Sequence, residues 1–335
     1  MRRLSPLLVA LLPLVVGAVW FSACDGASDK DSEGGGDSGI DTGACSGSQG
    51  WSYVAAGWLL SCGIHEDGCA ECWGLDGLVA GETGSSGDYH DYGEENPPSE
   101  IFVSIDLVGA TTNDPPGNHA CGVRSIPGVA CWGRNDYGQA SVPTSAYVEV
   151  GVADLLSCGL TAEGSIECWG LVVGPIPSEP KYDSLSVGFS GIAAIDRFGS
   201  MDIFDRYGYF VPYSMEGPFV GGSIGSFVCG ILTSGELHCW DVNDPSDPRL
   251  DPFVPSGQFT AVCVNDATAW ACAIGVDGHP TCFAAPDATP TNIVEVPDVT
   301  LTQISCGLSH ACGVTPDHTI VCWGDTSHGQ GTPPS

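Results

Sequence analysis

Basic residues are scarce in this chain. Lysine and arginine supply 9 of its 335 residues, against 41 aspartates and glutamates. Two of the nine, Arg2 and Arg3, precede an N-terminal apolar stretch, so residues 24–335 retain seven basic residues and a net formal charge of −34. A surface this acidic repels the phosphate backbone of DNA and RNA, which excludes nucleic acid as a partner.

Recognisable catalytic motifs are absent as well. The sequence contains no G-x-S-x-G elbow, no H-E-x-x-H pair and no P-loop. Its eight histidines are scattered, and two of them, His119 and His310, hold matching positions two residues before a cysteine, as features of a repeat do. We therefore expect no catalytic residues, no metal site and no cofactor, beyond a weak association with Ca²⁺ that the negative charge would favour.

A repeated pair of cysteines dominates the sequence. Residues 157–170 read SCGLTAEGSIECWG, with the cysteines ten positions apart and Trp-Gly directly after the second. A seventh copy has Ala193 and Ile203 in the two cysteine positions. The first positions of successive copies are 35 to 59 residues apart, a period typical of solenoids and propellers. The six copies with cysteines pair Cys62 with Cys72, Cys121 with Cys131, Cys158 with Cys168, Cys229 with Cys239, Cys272 with Cys282 and Cys312 with Cys322.

Each copy predicts a β-hairpin. Facing cysteines put Leu160 opposite Ile166 and leave a three-residue loop that ends at Gly164, where a left-handed backbone has no steric cost. The second copy departs, because its Gly128 comes one residue later. No run of 11 residues or more has a convincing helical period, so we predict an all-β fold. The other residues at the loop-ending position are Gly68, Gly199, Gly235, Gly278 and His318.

The cysteine spacing favours disulfides. Residues that face each other across two strands have Cβ atoms ~4.5–5.5 Å apart, close to the ~3.5–4.5 Å that a disulfide needs. The copy that lacks one cysteine lacks both, as expected of bonded pairs. Zinc sites instead use cysteines separated by about two to four residues, so six disulfides are favoured over a metal or redox site.

Four further cysteines, Cys45, Cys69, Cys263 and Cys306, lie outside these pairs. Cys263 and Cys306 fall in the predicted leading strands of the last two units, which neighbouring units could bring together. Cys45 and Cys69 would then remain for each other. The sequence leaves this pairing open.

Residues 1–23 predict an export signal. Arg2 and Arg3 begin it, an apolar core follows, and the sequence Phe-Ser-Ala before Cys24 resembles a bacterial lipobox. This predicts lipid on Cys24, the first residue of the mature chain, and a membrane attachment through that lipid alone. An ordinary signal peptide is the alternative. The cysteine count favours lipidation, because the 17 cysteines become an even number once Cys24 is set aside.

Residues 24–50 predict a flexible acidic linker. They are rich in Asp, Gly and Ser and contain almost no hydrophobic residues, so they cannot bury a core. Their spaced aspartates lack the glycine and the terminal glutamate of an EF-hand loop, which disfavours a calcium site.

The hairpin motif C-G-[LIV]-x3-G-x-[IV]-x-C-W-G resembles the regulator of chromosome condensation repeat, and its paired cysteines resemble exported bacterial versions of that repeat. The resemblance covers nearly all of residues 51–335 and implies a seven-bladed β-propeller. Two copies also carry the family's tail, as Asn135, Gly138, Gln139 and Pro143 and as Gly329, Gln330 and Pro333.

The two ends of the repeat region predict a closed ring. Trp51, Tyr147 and Tyr182 each stand eleven residues before the first position of a copy, which predicts a leading strand in front of each hairpin. The sequence stops after the last tail, where another leading strand would follow, and the strand at Trp51 supplies it. Closing the ring removes the unpaired edges of the sheets.

The resemblance implies protein binding across a propeller face. We therefore expect a non-enzymatic, monomeric, envelope-anchored binding protein of a bacterial outer membrane or cell surface, with a basic protein as partner. The insertion Leu75–Ser99 supplies Tyr89, His90 and Tyr92 as candidate contact residues. Two alternatives stay open. One is a propeller hydrolase or lyase, which would need carboxylates of perturbed pKa at the central channel, and the other is a structural surface coat.

Overall fold

The described residues all fall within Thr42–Ser335. They form 22 β-strands and no α-helix, so the described part contains no helix that is long and apolar enough to cross a membrane. The predicted all-β fold is confirmed. A computed structural model describes residues 50–75, 92–108, 119–171, 176, 179, 181–205, 210–215, 217–242, 253–266, 268–285, 288 and 295–334.

The strands of each blade follow one another along the chain. In order they are β1 (Trp51–Ala56), β2 (Leu60–His65), β3 (Ala70–Gly74), β4 (Phe102–Leu107), β5 (His119–Arg124), β6 (Val129–Gly133), β7 (Tyr147–Ala153), β8 (Leu156–Thr161), β9 (Ile166–Gly170), β10 (Tyr182–Gly188), β11 (Gly191–Asp196), β12 (Met201–Asp205), β13 (Phe210–Met215), β14 (Phe219–Ile224), β15 (Val228–Leu232), β16 (Leu237–Trp240), β17 (Phe259–Val264), β18 (Trp270–Gly275), β19 (Pro280–Ala284), β20 (Gln303–Cys306), β21 (His310–Val314) and β22 (Ile320–Gly324).

Consecutive strands form seven antiparallel sheets, which we call blades 1 to 7. The blades contain, in order, β1–β3, β4–β6, β7–β9, β10–β13, β14–β16, β17–β19 and β20–β22. Each blade therefore consists of a leading strand followed by a hairpin, and blade 4 has one strand more. Leading strands begin at Trp51, Tyr147 and Tyr182, as the eleven-residue offset predicts.

The hairpins have the predicted register and turns. In blade 3, Leu160 lies opposite Ile166. The loop-ending Gly164 has φ = 83°, and His318 holds the same position in blade 7 with φ = 62°. Both backbones are left-handed, which is why glycine dominates this position and why histidine, a residue enriched there among non-glycines, replaces it once.

Disulfides join the facing cysteines of six hairpins, each across a sequence separation of 10, which agrees with the pairing that the spacing predicts. In blade order they bond Cys62 to Cys72, Cys121 to Cys131, Cys158 to Cys168, Cys229 to Cys239, Cys272 to Cys282 and Cys312 to Cys322. So many disulfides indicate an oxidising, extracytoplasmic compartment for the folded unit.

Blade 4 is the hairpin without cysteines. Its Ala193 lies opposite Ile203 in the same register, and both side chains are buried. Apolar contact thus occupies the space that a disulfide takes in the other blades.

A seventh disulfide joins Cys263 of blade 6 to Cys306 of blade 7. Cys69 is disulfide-bonded as well. Its expected partner, Cys45, lies outside the described residues, as does Cys24.

The hairpin turn of one blade holds the leading strand of the next. The carbonyl of Gly164 in blade 3 accepts the N–H of Tyr182, which begins blade 4, at 3.0 Å. In blade 7 the carbonyl of His318 accepts the N–H of Trp51 in blade 1, at 2.8 Å. In blade 2 the displaced Gly128 instead accepts an N–H from its own hairpin. The remaining bonds of this kind join Gly68 to Phe102, Gly199 to Phe219, Gly235 to Phe259 and Gly278 to Leu301, at 2.8–2.9 Å.

The hydrophobic core is divided among the seven blade junctions. Between blades 7 and 1, Trp51 and Trp73 pack with Cys312 and Ile320. A comparable cluster lies at each of the other six junctions. The leading strands also contact one another in a circle, in the order β1, β4, β7, β10, β14, β17, β20 and β1 again. The chain is therefore a seven-bladed β-propeller whose last blade packs against its first.

Candidate functional site

The leading strands of all seven blades line a central cavity of about 320 Å³. Alternate residues of a strand point to the same side, and the third and fifth positions of the leading strands in blades 2, 3, 4, 5 and 7 both line the cavity. We count these positions from the first residue of the leading strand, or from Leu301 in blade 7. The polar lining residues include Asp106, Glu149, Ser186, Ser223, Gln303 and Ser305.

Side chains at the fifth position join four blades, namely 2, 4, 5 and 7, to the blade that follows. Asp106 in blade 2 accepts at Oδ2 the backbone N–H of Val152 in blade 3, at 2.8 Å. Serine hydroxyls do the same at three other junctions. Ser186 accepts from Ile224 at 3.2 Å, Ser223 from Val264 at 3.0 Å and Ser305 from Ala56 at 2.9 Å. We call these side chains the channel braces.

Two longer side chains at the third position reach the next blade as well. Glu149 accepts at Oε2 the N–H of Leu185, at 2.9 Å. Gln303 in blade 7 accepts the N–H of Val54 in blade 1 at 3.2 Å and donates to the carbonyl of the same residue at 2.9 Å. These bonds add a channel brace between blades 3 and 4 and a second one between blades 7 and 1.

The disulfide between Cys263 and Cys306 lies at the same level of the channel as the channel braces. Cys263 holds the fifth position of blade 6, where Ser223 stands in blade 5, and Cys306 holds the sixth position of blade 7. A covalent bond therefore joins blades 6 and 7 at the place where blades 5 and 6 are joined by a hydrogen bond from the backbone N–H of Val264 to the side chain of Ser223.

Two carboxyls of the channel, those of Asp106 and Glu149, have raised pKa values. Burial raises the pKa of Asp106 to about 7, against the opposing effect of the N–H that it accepts from Val152. Burial likewise raises the pKa of Glu149 to about 7, and its bond from Leu185 opposes the shift. Carboxyls of perturbed pKa in the channel are what the hydrolase or lyase alternative requires.

Both carboxyls also have a structural role. Asp106 and Glu149 each hold the backbone of the neighbouring blade. Among the described residues, no group of three or more histidine, cysteine, aspartate or glutamate side chains is placed to hold a metal ion. The arrangement therefore braces the ring.

The tails that follow two hairpins pack on the next blade. The carbonyl of Gln139, after blade 2, accepts the indole N–H of Trp169 and the hydroxyl of Ser157, both at 2.8 Å. The carbonyl of Gln330, after blade 7, accepts the indole N–H of Trp73 and the hydroxyl of Ser61, both at 3.0 Å. The recurring Trp73 and Trp169 thus pack at the blade junctions and bond to the tails there.

A third tail, after blade 1, was not recognised from the sequence. Glu94 accepts at its side chain the N–H of Tyr92, at 2.9 Å, as Gln139 accepts the N–H of Tyr137. The carbonyl of Glu94 accepts the indole N–H of Trp132 in blade 2, at 2.8 Å. Glutamate in the glutamine position and the long insertion before it hid this tail. The shared Tyr-Gly before the acidic or amide residue is the signal that would have found it.

Two buried histidines connect neighbouring blades. The Nε2 of His119 lies 2.8 Å from the Oγ of Ser157, and the Nε2 of His310 lies 2.8 Å from the Oγ of Ser61. Each serine gives its one hydroxyl proton to a tail carbonyl, so the histidine Nε2 must be the donor to the serine. Burial lowers the pKa of His119 to about 3 and that of His310 to about 4, which keeps both rings neutral.

The candidate contact residues of the insertion are only partly described. Tyr92 is half-buried, and the guanidinium carbon of Arg134 lies 5.6 Å from the centre of its ring. Burial, more than any neighbouring charge, raises the pKa of Tyr92. Tyr89 and His90 lie outside the described residues. Tyr92 therefore contributes to packing between the blade 1 tail and blade 2.

Large apolar side chains are exposed mainly at one end of the propeller. We call it the turn end, because it contains the hairpin turns and the first residues of the leading strands, which bond to those turns. Nine large hydrophobic residues are exposed in the described part of the chain, and six of them lie at the turn end. The six are Val103, Ile126, Val148, Phe198, Val220 and Val276.

Known proteins resemble this chain in sequence and in fold. The model of the regulator of chromosome condensation repeat matches residues 301–330, from the start of blade 7 to its tail glutamine. The ectodomain of the Physcomitrella patens receptor kinase CR4 is similar with a TM-score of 0.60 and 22% identity, over 82% of this chain and 74% of that one.

Two further solved structures have the same fold. The ectodomain of the Arabidopsis thaliana receptor kinase ACR4 gives a TM-score of 0.56 and 22% identity, over 82% of this chain and 98% of that one. Prp20p from Saccharomyces cerevisiae gives a TM-score of 0.54 and 13% identity, over 85% of each chain. The resemblance read from the hairpin motif is confirmed: this chain carries a regulator of chromosome condensation repeat and has the β-propeller fold of proteins built from that repeat.

Proposed function

We propose that this protein is a non-enzymatic, protein-binding propeller held in a bacterial cell envelope by lipid on Cys24. One observation carries the proposal. Both Asp106 and Glu149 of the channel bond to the neighbouring blade, whereas large apolar side chains are exposed at an outer end of the ring. Exposed apolar side chains gathered on one surface are typical of interaction sites.

The fold is used for protein binding elsewhere. The structure of Prp20p was described together with its binding to Gsp1p and histones, and yeast RCC1 has been crystallised with Kap60. These facts concern those proteins, and a shared fold does not fix function. They support a protein as the class of partner to seek first.

Charge narrows the choice of partner. Residues 24–335 carry a net formal charge of −34, which attracts basic surfaces and repels nucleic acid. The same charge opposes self-association, so we expect a monomer, and it favours a weak association with Ca²⁺. Catalysis plays no part in this function.

The anchor has a direct test. Peptide mass spectrometry of the mature protein should find residue 24 at the N-terminus with lipid attached. Cys24→Ser should move the protein from the membrane fraction to the soluble fraction while its disulfides still form. If Cys24→Ser stays in the membrane fraction as wild type does, the lipid anchor is wrong.

Partner binding is tested by chemical cross-linking on intact cells. We expect one saturable protein adduct that excess purified propeller competes away. Ordered arrays of the protein with no adduct would instead favour the surface-coat alternative.

The enzyme alternative rests on the raised pKa values of Asp106 and Glu149. Its test is turnover of ester, glycoside and acidic polysaccharide substrates by the purified protein and by Asp106→Asn and Glu149→Gln. Both substitutions keep an acceptor for the neighbouring N–H. Turnover that both variants abolish would overturn the non-enzymatic function, whereas turnover that neither variant changes would indicate a contaminant.

A further inference from the structure

We propose that the turn end of blades 2 to 6 is the docking face, and that it receives a protein surface combining basic and aliphatic side chains. This rests on the proposed function and deepens it, because it names the face and the chemistry of the partner.

The six exposed apolar side chains, which we call the band, are distributed over five consecutive blades. Each of blades 2 to 6 exposes at least one large hydrophobic residue at this end, with exposed fractions from 51% for Val103 to 79% for Phe198. Blades 7 and 1 interrupt the band. Thr302 and Ser52 occupy there the second position of the leading strand, which is valine in blades 2, 3 and 5.

Three residues of the band lie in regular strands. Val103, Val148 and Val220 stand at the second position of their leading strands, where the pairing register shifts by one residue. Such a β-bulge leaves one residue unpaired and redirects its side chain, which explains the exposure of these valines inside regular strands. Because the backbone is already ordered, a partner meets a preformed surface and loses little conformational entropy on binding.

Carboxylates surround the band. Among the basic residues of this end, Arg124 lies 3.4 Å from Glu100 and Lys181 lies 3.8 Å from Glu179, while Arg197 adds one exposed positive charge. The acidic residues exceed them. Exposed carboxylates at this end include Glu163, Asp183, Glu236, Asp277 and Asp298.

The exposed apolar residues and the carboxylates around them together indicate which kind of partner binds. An apolar centre with a charged rim is the usual composition of a protein interface, and an acidic rim favours a basic counterpart. A second copy of this chain would bring together two surfaces of the same strong negative charge, and an anionic lipid surface would be repelled likewise. A protein surface with both basic and aliphatic side chains matches the carboxylates and the apolar residues of the turn end.

A defined peptide probe tests the chemistry. The probe is a labelled synthetic peptide in which lysine alternates with leucine and valine, with a glutamate-for-lysine peptide and a serine-for-aliphatic peptide beside it. Fluorescence anisotropy should show saturable binding of the first peptide alone, weakening as salt rises. Val148→Ser with Phe198→Ser and Val220→Ser should weaken it by at least about tenfold. Leu171→Ser, at an exposed residue of the opposite end, is the matched control.

Several outcomes would overturn the docking face. They are equal binding to the triple variant and to wild type, binding of the glutamate peptide, and loss of binding in Leu171→Ser. Sedimentation that shows dimers of wild type but monomers of the triple variant would assign the band to a second copy. Near-ultraviolet circular dichroism checks that the triple variant is folded, and single substitutions at the same residues replace it if it is not.

A photo-cross-linking residue placed on living cells separates this inference from the proposed function. The residue is introduced at position 148 or 220 of the turn end, or at position 171 of the opposite end. Adducts from 148 and 220 but not from 171 support the docking face. Adducts from 171 alone leave the binding function standing and overturn the face, and no adduct from any position counts against both.

Discussion

His310 in the last blade and Ser61 in the first lie 2.8 Å apart, between Nε2 and Oγ, although 249 residues separate them in the chain. His119 and Ser157 make the same contact between blades 2 and 3. In both places the serine also donates to the carbonyl of a tail glutamine. The junction between the two ends of the chain is therefore built like an internal junction of the propeller.

This contact predicts a specific stability pattern. Ser61→Ala leaves the Nε2 proton of His310 buried without an acceptor, so the free energy of unfolding should fall by about 1–3 kcal/mol. Adding His310→Leu should restore most of it. The reason is that blades 1 and 2 already pack Leu60 with Ala120 at the equivalent positions, and replacing both partners with apolar groups is nearly neutral.

Urea unfolding of the single and double variants measures this pattern. Ser157→Ala is the matched control, with the same chemistry at an internal junction, and should lose as much as Ser61→Ala. A double variant as unstable as Ser61→Ala would contradict the role assigned to the hydrogen bond.

The channel brace at Asp106 predicts a pH effect of definite sign. Its pKa is raised by burial to about 7 from an ordinary value of 3.8, so its contribution to stability is present below about pH 4 and is lost as the pH rises to about 7. Asp106→Asn keeps an acceptor for Val152 and stays neutral. The variant should gain on the order of 2–4 kcal/mol relative to wild type at pH 8 and almost nothing at pH 4.

Thermal or urea unfolding at the two pH values measures this difference. Glu149→Gln should behave in the same way, because burial raises its pKa to about 7 as well. A surface variant, Asp298→Asn, controls for the change in net charge. Equal gains at pH 4 and pH 8 would refute the titration of the buried carboxyl.

The buried histidines predict the opposite dependence. Burial lowers the pKa of His119 to about 3 and that of His310 to about 4, so their contribution is complete above about pH 6.5 and is lost as the pH falls toward those values. Replacing each histidine with leucine and its serine partner with alanine should remove this loss. The quadruple variant should therefore be destabilised less than wild type between pH 6.5 and pH 4.

Comparing variants is essential for that measurement, because the channel carboxyls gain stability over the same pH range in which the histidines lose it. Hydrogen exchange of the amides of residues 61 and 157 at each pH gives a local readout. Identical pH slopes in wild type and the quadruple variant would show that other groups control the acid sensitivity.

The disulfide between Cys263 and Cys306 predicts which double replacement of its cysteines is the more stable. Removing it should cost about 2–4 kcal/mol, because it links residues 43 apart in the chain. Cys263→Ser with Cys306→Ala should be more stable than alanine at both positions by about 0.5–1.5 kcal/mol. A serine at 263 repeats Ser223 and Ser305, which accept a backbone N–H from the next blade.

Equilibrium unfolding of the two double variants tests that ranking. Non-reducing electrophoresis and peptide mapping confirm that the six hairpin disulfides remain paired. If the alanine pair is as stable as the serine–alanine pair, the equivalence between this disulfide and the channel braces is wrong.

Some features at the blade junctions were within reach of the sequence. The two histidines stand out at matching positions, and serine precedes the first cysteine in copies 1 and 3. In a closed ring, each of these serines lies in the blade that follows a blade containing one of the two histidines. That correspondence is a signal of ring closure, and its meaning becomes visible once the blades are known to pack in order.

Other features could not be read from the sequence. Asp106 resembles any strand aspartate until the channel places it against Val152, 46 residues away. The third tail, at Glu94, is hidden by a long insertion and by the change from glutamine to glutamate. The exposure of Val103 inside a strand depends on a bulge that the alternation of polar and apolar residues does not predict.

The sequence by itself determined the local units. Seven hairpins and their register follow from the ten-residue spacing, six of the turns from the loop-ending residues and three leading strands from the eleven-residue offset, because strand alternation and turn geometry act over short separations. Tertiary structure alone decided which side chains meet across the junctions, which carboxyls are buried in the channel and where the apolar residues collect. These depend on how neighbouring blades are staggered and inclined around the ring, a geometry set by all seven packing clusters together.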